Sequence, residues 1–280
     1  PNSVTSRPER AVGLDATPRR CHTVSVSAPK PPLVLLHGVT GSGRIWRDVV
    51  PLLAGHLDVY TPTLPGHHGG PPLERRPASV SDLVDRVERQ LDDLGLEKPH
   101  LAGNSLGGWI SIDLARRGRA TSVCALSPAG FWWDRDSNEQ VAGHIQSTRR
   151  LVRITRPVAP VAVRMAAVRR YGLRGVACHG ERLSAARVMD LIADAGDCPF
   201  MDGYSAGERV APLDPLPCPI TLAWSEFDHV VPAETFGRAA RERLPGADWV
   251  LLPGVGHIPM IDDPDLVART ILASTRQRSP

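Results

Sequence analysis

The chain has 280 residues, 42% of them hydrophobic, and a formal net charge of +3, enough for one sizeable α/β domain with an insertion. Lys30 and Lys98 are the only lysines in an arginine-rich chain, and no basic run interleaved with aromatics offers a nucleic-acid surface. Cys21, Cys124, Cys178, Cys198 and Cys218 are odd in number without metal-type spacing, no stretch reaches membrane-spanning length, and residues 1–20 lack a signal-peptide core, so the expectation is a reduced, cytoplasmic protein without stable membrane insertion.

In chain order, Cys21–Val26 is the only N-terminal segment of strand type, and Pro32–Leu36 is a buried strand. A helix over Ile45–Leu53 presents Ile45, Trp46, Val49 and Leu53 to one face, and Asp58–Thr61 is a short strand. Ser81–Leu94 carries the clearest helical stripe, through Leu83, Val84, Val87 and Leu91, with Gly95 as its stop. An apolar approach over Lys98–Ala102 leads into a helix from Gly108 toward Gly118, and Ser122–Leu126 is again a strand. This alternation implies parallel crossovers and a doubly wound, mostly parallel sheet. The rhythm breaks between Ser127 and Pro217, a helical interval whose first half clusters Arg149, Arg150, Arg153, Arg156, Arg164, Arg169, Arg170 and Arg174. Three readings of these arginines stand: a solvated face, a clamp for an anionic substrate, or a basic membrane-surface helix, the last opposed by the interruptions at Pro157 and Pro160. Phe131, Trp132 and Trp133 open the interval, either lining an apolar substrate pocket or packing the insertion onto the core. Strands at Ile220 and over Trp249–Leu252, with helices over Ala233–Leu244 and Asp265–Thr275, complete the chain without internal repeats.

The chemistry concentrates at Gly103-Asn104-Ser105-Leu106-Gly107, a Gly-x-Ser-x-Gly pentapeptide where a strand ends and a helix begins. A serine hydroxyl is a weak nucleophile at neutral pH and needs a base and a group to orient that base. His257 follows a buried strand in a Gly-Pro-rich loop, and Asp228 follows another strand in Phe227-Asp228-His229-Val230-Val231-Pro232. Serine, acid and histidine therefore occur in the chain order of a nucleophile-elbow triad. Asp134, Asp136 and Glu226 compete as the acid and His229 as the base, while His67 and His68 lack partners for a metal site.

Four segments carry a family resemblance: Leu35-Leu36-His37-Gly38, Leu64-Pro65-Gly66-His67, Gly103-Asn104-Ser105-Leu106-Gly107-Gly108, and the Asp228 and His257 loops. Together they resemble the α/β-hydrolase fold over most of the chain. The resemblance implies a core over residues 1–130 and 214–280, and a helical cap over residues 131–213 inserted after the sixth core strand. It also implies an oxyanion hole from the backbone N–H groups of Val39 and Leu106, with His37 as a structural residue of that loop. Thr63-Leu64-Pro65-Gly66-His67-His68-Gly69-Gly70 departs from the Asp-Leu-Pro-Gly-His-Gly of many relatives, and the N-terminal edge of the sheet reads as reduced. The implied activity is cofactor-free hydrolysis of small or medium-sized carboxylic esters through an acyl-enzyme on Ser105, as in carboxylesterases. A serine there disfavours the haloalkane dehalogenases and epoxide hydrolases of this fold, which use aspartate. The alternatives are a carbon–carbon bond hydrolase or thioesterase for an anionic substrate, and a ligand-binding protein on a hydrolase scaffold.

Overall fold

The computed structural model describes residues 29–204 and 207–276. Strands β1 (Pro32–Leu36), β2 (Asp58–Tyr60), β3 (His100–Asn104), β4 (Ser122–Leu126), β5 (Ile220–Phe227) and β6 (Asp248–Gly256) form one sheet. Their order is β2-β1-β3-β4-β5-β6, with every pairing parallel. Successive strand side chains point to opposite faces, so a sheet covered on both sides needs continuous apolar runs. Val34, Leu36, Leu101, Val123, Ala125 and Leu222 enter one core layer, while Leu33, Leu35, Ala102, Cys124, Leu126 and Ala223 enter the other.

The helices are α1 (Val50–Leu53), α2 (Val80–Asp93), α3 (Leu106–Arg116), α4 (Arg135–Thr155), α5 (Ala159–Ala162), α6 (Ala166–Leu173), α7 (Ala185–Gly196), α8 (Pro199–Asp202), α9 (Arg238–Arg243), α10 (Pro259–Asp262) and α11 (Pro264–Thr275). Leu83 and Val84 of α2, Ile110 and Leu114 of α3, and Ala239 and Ala240 of α9 cover the first face. Leu53 of α1 and Val267 and Ile271 of α11 cover the second. α4 to α8 form an insertion between β4 and β5.

Three helices depart from the sequence reading, each for a local reason. The helix expected over Ile45–Leu53 is a 3₁₀ turn at Gly43–Trp46 followed by α1. Pro51 cannot donate to the carbonyl of Arg47, so a continuous helix cannot pass through it; Ile45, Trp46, Val49 and Leu53 are buried nonetheless. α2 starts one residue earlier than expected, at Val80, because Ser79 and Asp82 close a reciprocal cap, Ser79 Oγ accepting from Asp82 N at 3.0 Å and Asp82 Oδ2 from Ser79 N at 2.9 Å. The helix expected over Ala233–Leu244 is a wide π-type turn at Ala233–Gly237 and then α9. Gly237 lies at the join against the Trp249 ring, where a β-carbon would stand 2.7 Å from the nearest ring carbon. The Cys21–Val26 segment lies outside the described residues, and the helical interval follows β4, the fourth strand among the described residues.

Candidate active site

In a parallel sheet the side chains best placed for chemistry stand beyond the carboxyl ends of the strands, above all where the strand order reverses. Here the reversal lies between β1 and β3, since the chain runs from β1 outward to β2 and returns to β3 on the other side. Ser105 follows β3 at that point. The loop after β1 reaches it: a β-carbon on Gly38 would stand 3.2 Å from Ser105 Cβ.

Ser105 is the N-cap of α3 with φ 53° and ψ −115°, a left-handed backbone that a side chain adopts only at a cost of about 1–3 kcal/mol. The glycines around it are dictated by contact. A β-carbon on Gly103 would lie 2.2 Å from the Gly107 carbonyl oxygen, and one on Gly107 would lie 2.2 Å from that of Leu36. The turn is tight because α3 packs directly onto β1 and β3. Leu106, as the first helical residue, has an N–H with no intrahelical partner, and the helix N-terminus carries partial positive charge.

His257 follows β6 and Asp228 follows β5, and the two meet: His257 Nδ1–H donates to Asp228 Oδ2 at 2.8 Å, both residues being buried. The other Asp228 oxygen accepts from Val230 N at 2.9 Å and Val231 N at 2.8 Å. Three donors thus fix the carboxylate, and the carboxylate fixes the imidazole with Nε2 as the free acceptor. A register shift between Ser225 and Phe227 turns the end of β5 just before the aspartate. Asn104 Nδ2 donates to the carbonyls of His257 at 2.9 Å and Leu126 at 3.2 Å, tying the histidine loop to the strand that carries Ser105.

A buried pair of histidines, His37 and His67, supports the loops rather than the chemistry. His37 Nε2 accepts from Leu64 N at 2.9 Å and its Nδ1–H donates to the Gly38 carbonyl at 2.8 Å. Burial, reinforced by the neighbouring His67, depresses the His37 pKa to about 3, so the ring is neutral as those bonds require. His67 donates to the Pro65 carbonyl and stacks on Phe200, and burial lowers its pKa to about 4.

Ser105 opens into a pocket of about 460 Å³ of space between atoms, its mouth included. The wall is apolar, from Val39, Leu106, Trp109 and Trp132 on the core side to Val141 and Ile145 of α4 and Met201 of α8. Besides Ser105, its polar lining residues are Asn138 and Tyr204. Oriented to meet donors, the Asn138 carbonyl accepts from Tyr204 Oη at 3.2 Å and Trp132 Nε1 at 3.3 Å, so these groups satisfy one another. No arginine lines the pocket.

The three aromatics proposed for substrate contact separate. Trp132 lines the pocket, whereas Phe131 is fully buried against Trp224 because it points into the core layer beneath, and Trp133 is exposed with its Nε1 donating to the Thr235 carbonyl. Val39 and Leu106 both face the pocket. The rival triad members stand elsewhere: Asp134 caps α4, Asp136 and His229 are exposed, and Glu226 accepts from Gly254 N. Among the described residues no group of three or more His, Cys, Asp or Glu side chains is placed to hold a metal ion. Arg149 is buried, donating to Asp202 and to the Ala195 and Cys198 carbonyls, and is not available as a substrate clamp. Asn138, Val141, Ala142 and Ile145 were not singled out from sequence, although their 3–4 spacing marks one face of α4. Met201 and Tyr204 carry no sequence signal of this kind.

Residues 33–270 match a family model described as the alpha/beta hydrolase family. Epoxide hydrolase EphH of Mycobacterium tuberculosis is 33% identical over 209 residues, which is 72% of this chain and 97% of that protein. A thermophilic esterase from Thermogutta terrifontis aligns with TM-score 0.66 at 21% identity, over 88% of this chain and 89% of its own. A meta-cleavage product hydrolase from Pseudomonas fluorescens IP01 aligns with TM-score 0.66 at 21% identity, over 88% and 90%. At such identities the structural likeness is one of fold.

Proposed function

The chain belongs to the alpha/beta hydrolase family, and from that premise we propose that it is a serine hydrolase that cleaves uncharged carboxylic esters through an acyl-enzyme on Ser105. His257 takes the hydroxyl proton, Asp228 holds the imidazole tautomer and stabilises its cation, and the serine oxygen attacks the ester carbonyl. The N–H groups of Val39 and Leu106 receive the oxyanion, each worth roughly 3 kcal/mol in the transition state by analogy with other oxyanion-hole donors. The alcohol leaves with the proton from His257, and water activated by the same base releases the acid. Residues 131–213 act as a cap whose α4 and α8 side chains close the pocket over the acyl chain.

The observation that carries this reading is Ser105, in its strained turn, opening into a pocket with no charged side chain on its wall. An apolar wall suits an aliphatic or aromatic acyl group and gives a substrate carboxylate no partner, which weighs against the carbon–carbon hydrolase alternative. Epoxide opening, the activity named for the mycobacterial relative, does not suit a serine nucleophile. Attack by its hydroxyl on an epoxide would leave an alkyl ether, which offers water no carbonyl to attack, so the enzyme would not turn over.

A fluorophosphonate probe read by intact mass, beside p-nitrophenyl ester turnover, tests the proposal. Single labelling that Ser105→Ala abolishes, with hexanoate hydrolysed faster than a succinate half-ester, is the expected result. A folded protein that neither labels nor turns over would favour the ligand-binding scaffold. Preference for the anionic half-ester would overturn the assignment to uncharged esters.

A further inference from the structure

Beyond the pocket, the first half of the insertion has a surface that the hydrolytic site does not use. Between Glu139 and Glu181 the chain carries eight arginines and no aspartate or glutamate. Within that interval Leu151, Ile154, Val158, Val161 and Met165 are each at least 60% exposed. Their spacing is 3, 4, 3 and 4 residues, the stripe of one helix face.

Pro157 and Pro160 would be expected to break such a stripe, yet the turns continue across them. Val158 N bonds the Thr155 carbonyl at 3.1 Å, Ala162 N bonds Val158 at 3.1 Å and Val163 N bonds Ala159 at 2.9 Å. The opposite side of the same stretch is fastened to the protein: Ala159 and Val163 are buried in the core layer shared with α7, and Arg149 is buried beneath the end of α4. The apolar row therefore faces outward. Arg150, Arg156, Arg164 and Arg170 flank it, all exposed.

We propose that this face, α4 from Leu151 through α5 to the start of α6, docks on the surface of an anionic phospholipid bilayer. Aliphatic side chains standing out from the surface enter the boundary between headgroups and acyl chains, and arginines beside them reach lipid phosphates while their stems remain in apolar surroundings. A second copy of the chain fits worse, because a two-fold contact through this face would set arginines against arginines with no carboxylate in the interval to separate them. No helix of the described residues is long and apolar enough to cross a membrane, so the association is peripheral. α4 also supplies the pocket residues Val141 and Ile145. Docking would bring that wall of the pocket close to the lipid.

Flotation of the full chain with vesicles of phosphatidylcholine alone, or with about 30% phosphatidylserine, tests this at about 0.1 M and about 0.5 M salt. The protein is expected to float with the anionic vesicles at low salt and to stay behind with the neutral ones. Ile154→Ser combined with Val161→Ser, and separately Arg150, Arg156, Arg164 and Arg170 all changed to Gln, should each lower the partition coefficient by at least about tenfold, with unchanged circular dichroism and unchanged turnover of a soluble ester. Equal partitioning onto both vesicle types, absence of binding by the unaltered protein, or undiminished binding by both variants would overturn the proposal. So would a dimer in sedimentation velocity without lipid that the Ser variant dissolves, which would assign the face to a second copy.

Discussion

At the scale of single residues, the site depends on atoms that have no room to be anything else. Gly103 and Gly107 face backbone oxygens 2.2 Å from where a β-carbon would stand, so the turn presenting Ser105 exists only with glycine at both positions. Asp228 is as constrained, its two oxygens taking up the Val230 and Val231 amides and the His257 Nδ1–H. Asp228→Asn keeps the shape but puts an amide where the ring proton points, which favours the wrong imidazole tautomer. On the proposed mechanism it should lower kcat by roughly 10⁴-fold with little change in melting temperature, by analogy with the same change in serine proteases. A loss below about tenfold would mean that the pair does not orient a catalytic base.

Among elements, the important joints are those between the insertion and the sheet. Asp262, at the end of α10, accepts from Gly256 N at 2.8 Å, Cys178 N at 2.9 Å and His179 N at 2.9 Å. One carboxylate thereby binds the strand end that leads to His257 to a segment of the insertion, and Ile258 N bonding the Val176 carbonyl at 2.9 Å adds to the joint. Asp262→Ala leaves three amides without this acceptor and should cost about 3 kcal/mol in urea unfolding, since hydrogen bonds to charged groups are worth about 1.5–3 kcal/mol each and water recovers part of the loss. It should also lower kcat more than it raises KM, because the histidine loop loosens while the pocket wall is untouched. A second joint lies on the other side, where Asp194 of α7 is buried between Ser42 at 2.9 Å and Arg44 at 2.6 Å. That pair connects the loop after β1 to the insertion.

Across the whole molecule, the same dependence of loops on buried groups sets the response to acid. His37 and His67 are neutral in the fold, with pKa values of about 3 and about 4, and each would titrate near 6.5 in the unfolded chain. Below pH 6.5 the unfolded chain takes up protons that the fold refuses, so stability is complete above that value and falls as the pH drops toward 4. The loss from pH 7 to pH 5 is about 2 kcal/mol per histidine. Urea unfolding at the two pH values should show His67→Gln losing about 2 kcal/mol less than the unaltered protein over that interval. Parallel losses in both proteins would show that His67 is not the group responsible. The coupling reaches the insertion, because His67 stacks on Phe200 of α8.

The sequence by itself determined the described sheet strands, most of the core helices and the order of the chemistry. Short apolar runs marked the strands, and the Gly-x-Ser-x-Gly elbow with a later Asp228 and His257 marked the candidate triad, because each of these signals is local and is written within a few neighbouring residues. Local chemistry also explains two helix errors, since Pro51 and the Ser79–Asp82 cap are readable a few residues at a time. Tertiary structure alone decided which side of each aromatic faces the pocket, separating Trp132 from Phe131 and Trp133, and which arginines are consumed internally, as Arg149 is by Asp202. It also decided that Leu151, Ile154, Val158, Val161 and Met165 remain outside. Such outcomes depend on contacts between segments tens of residues apart, where the same side chain is stabilised equally well by a core, a pocket or a partner surface, and only the packed fold selects among them.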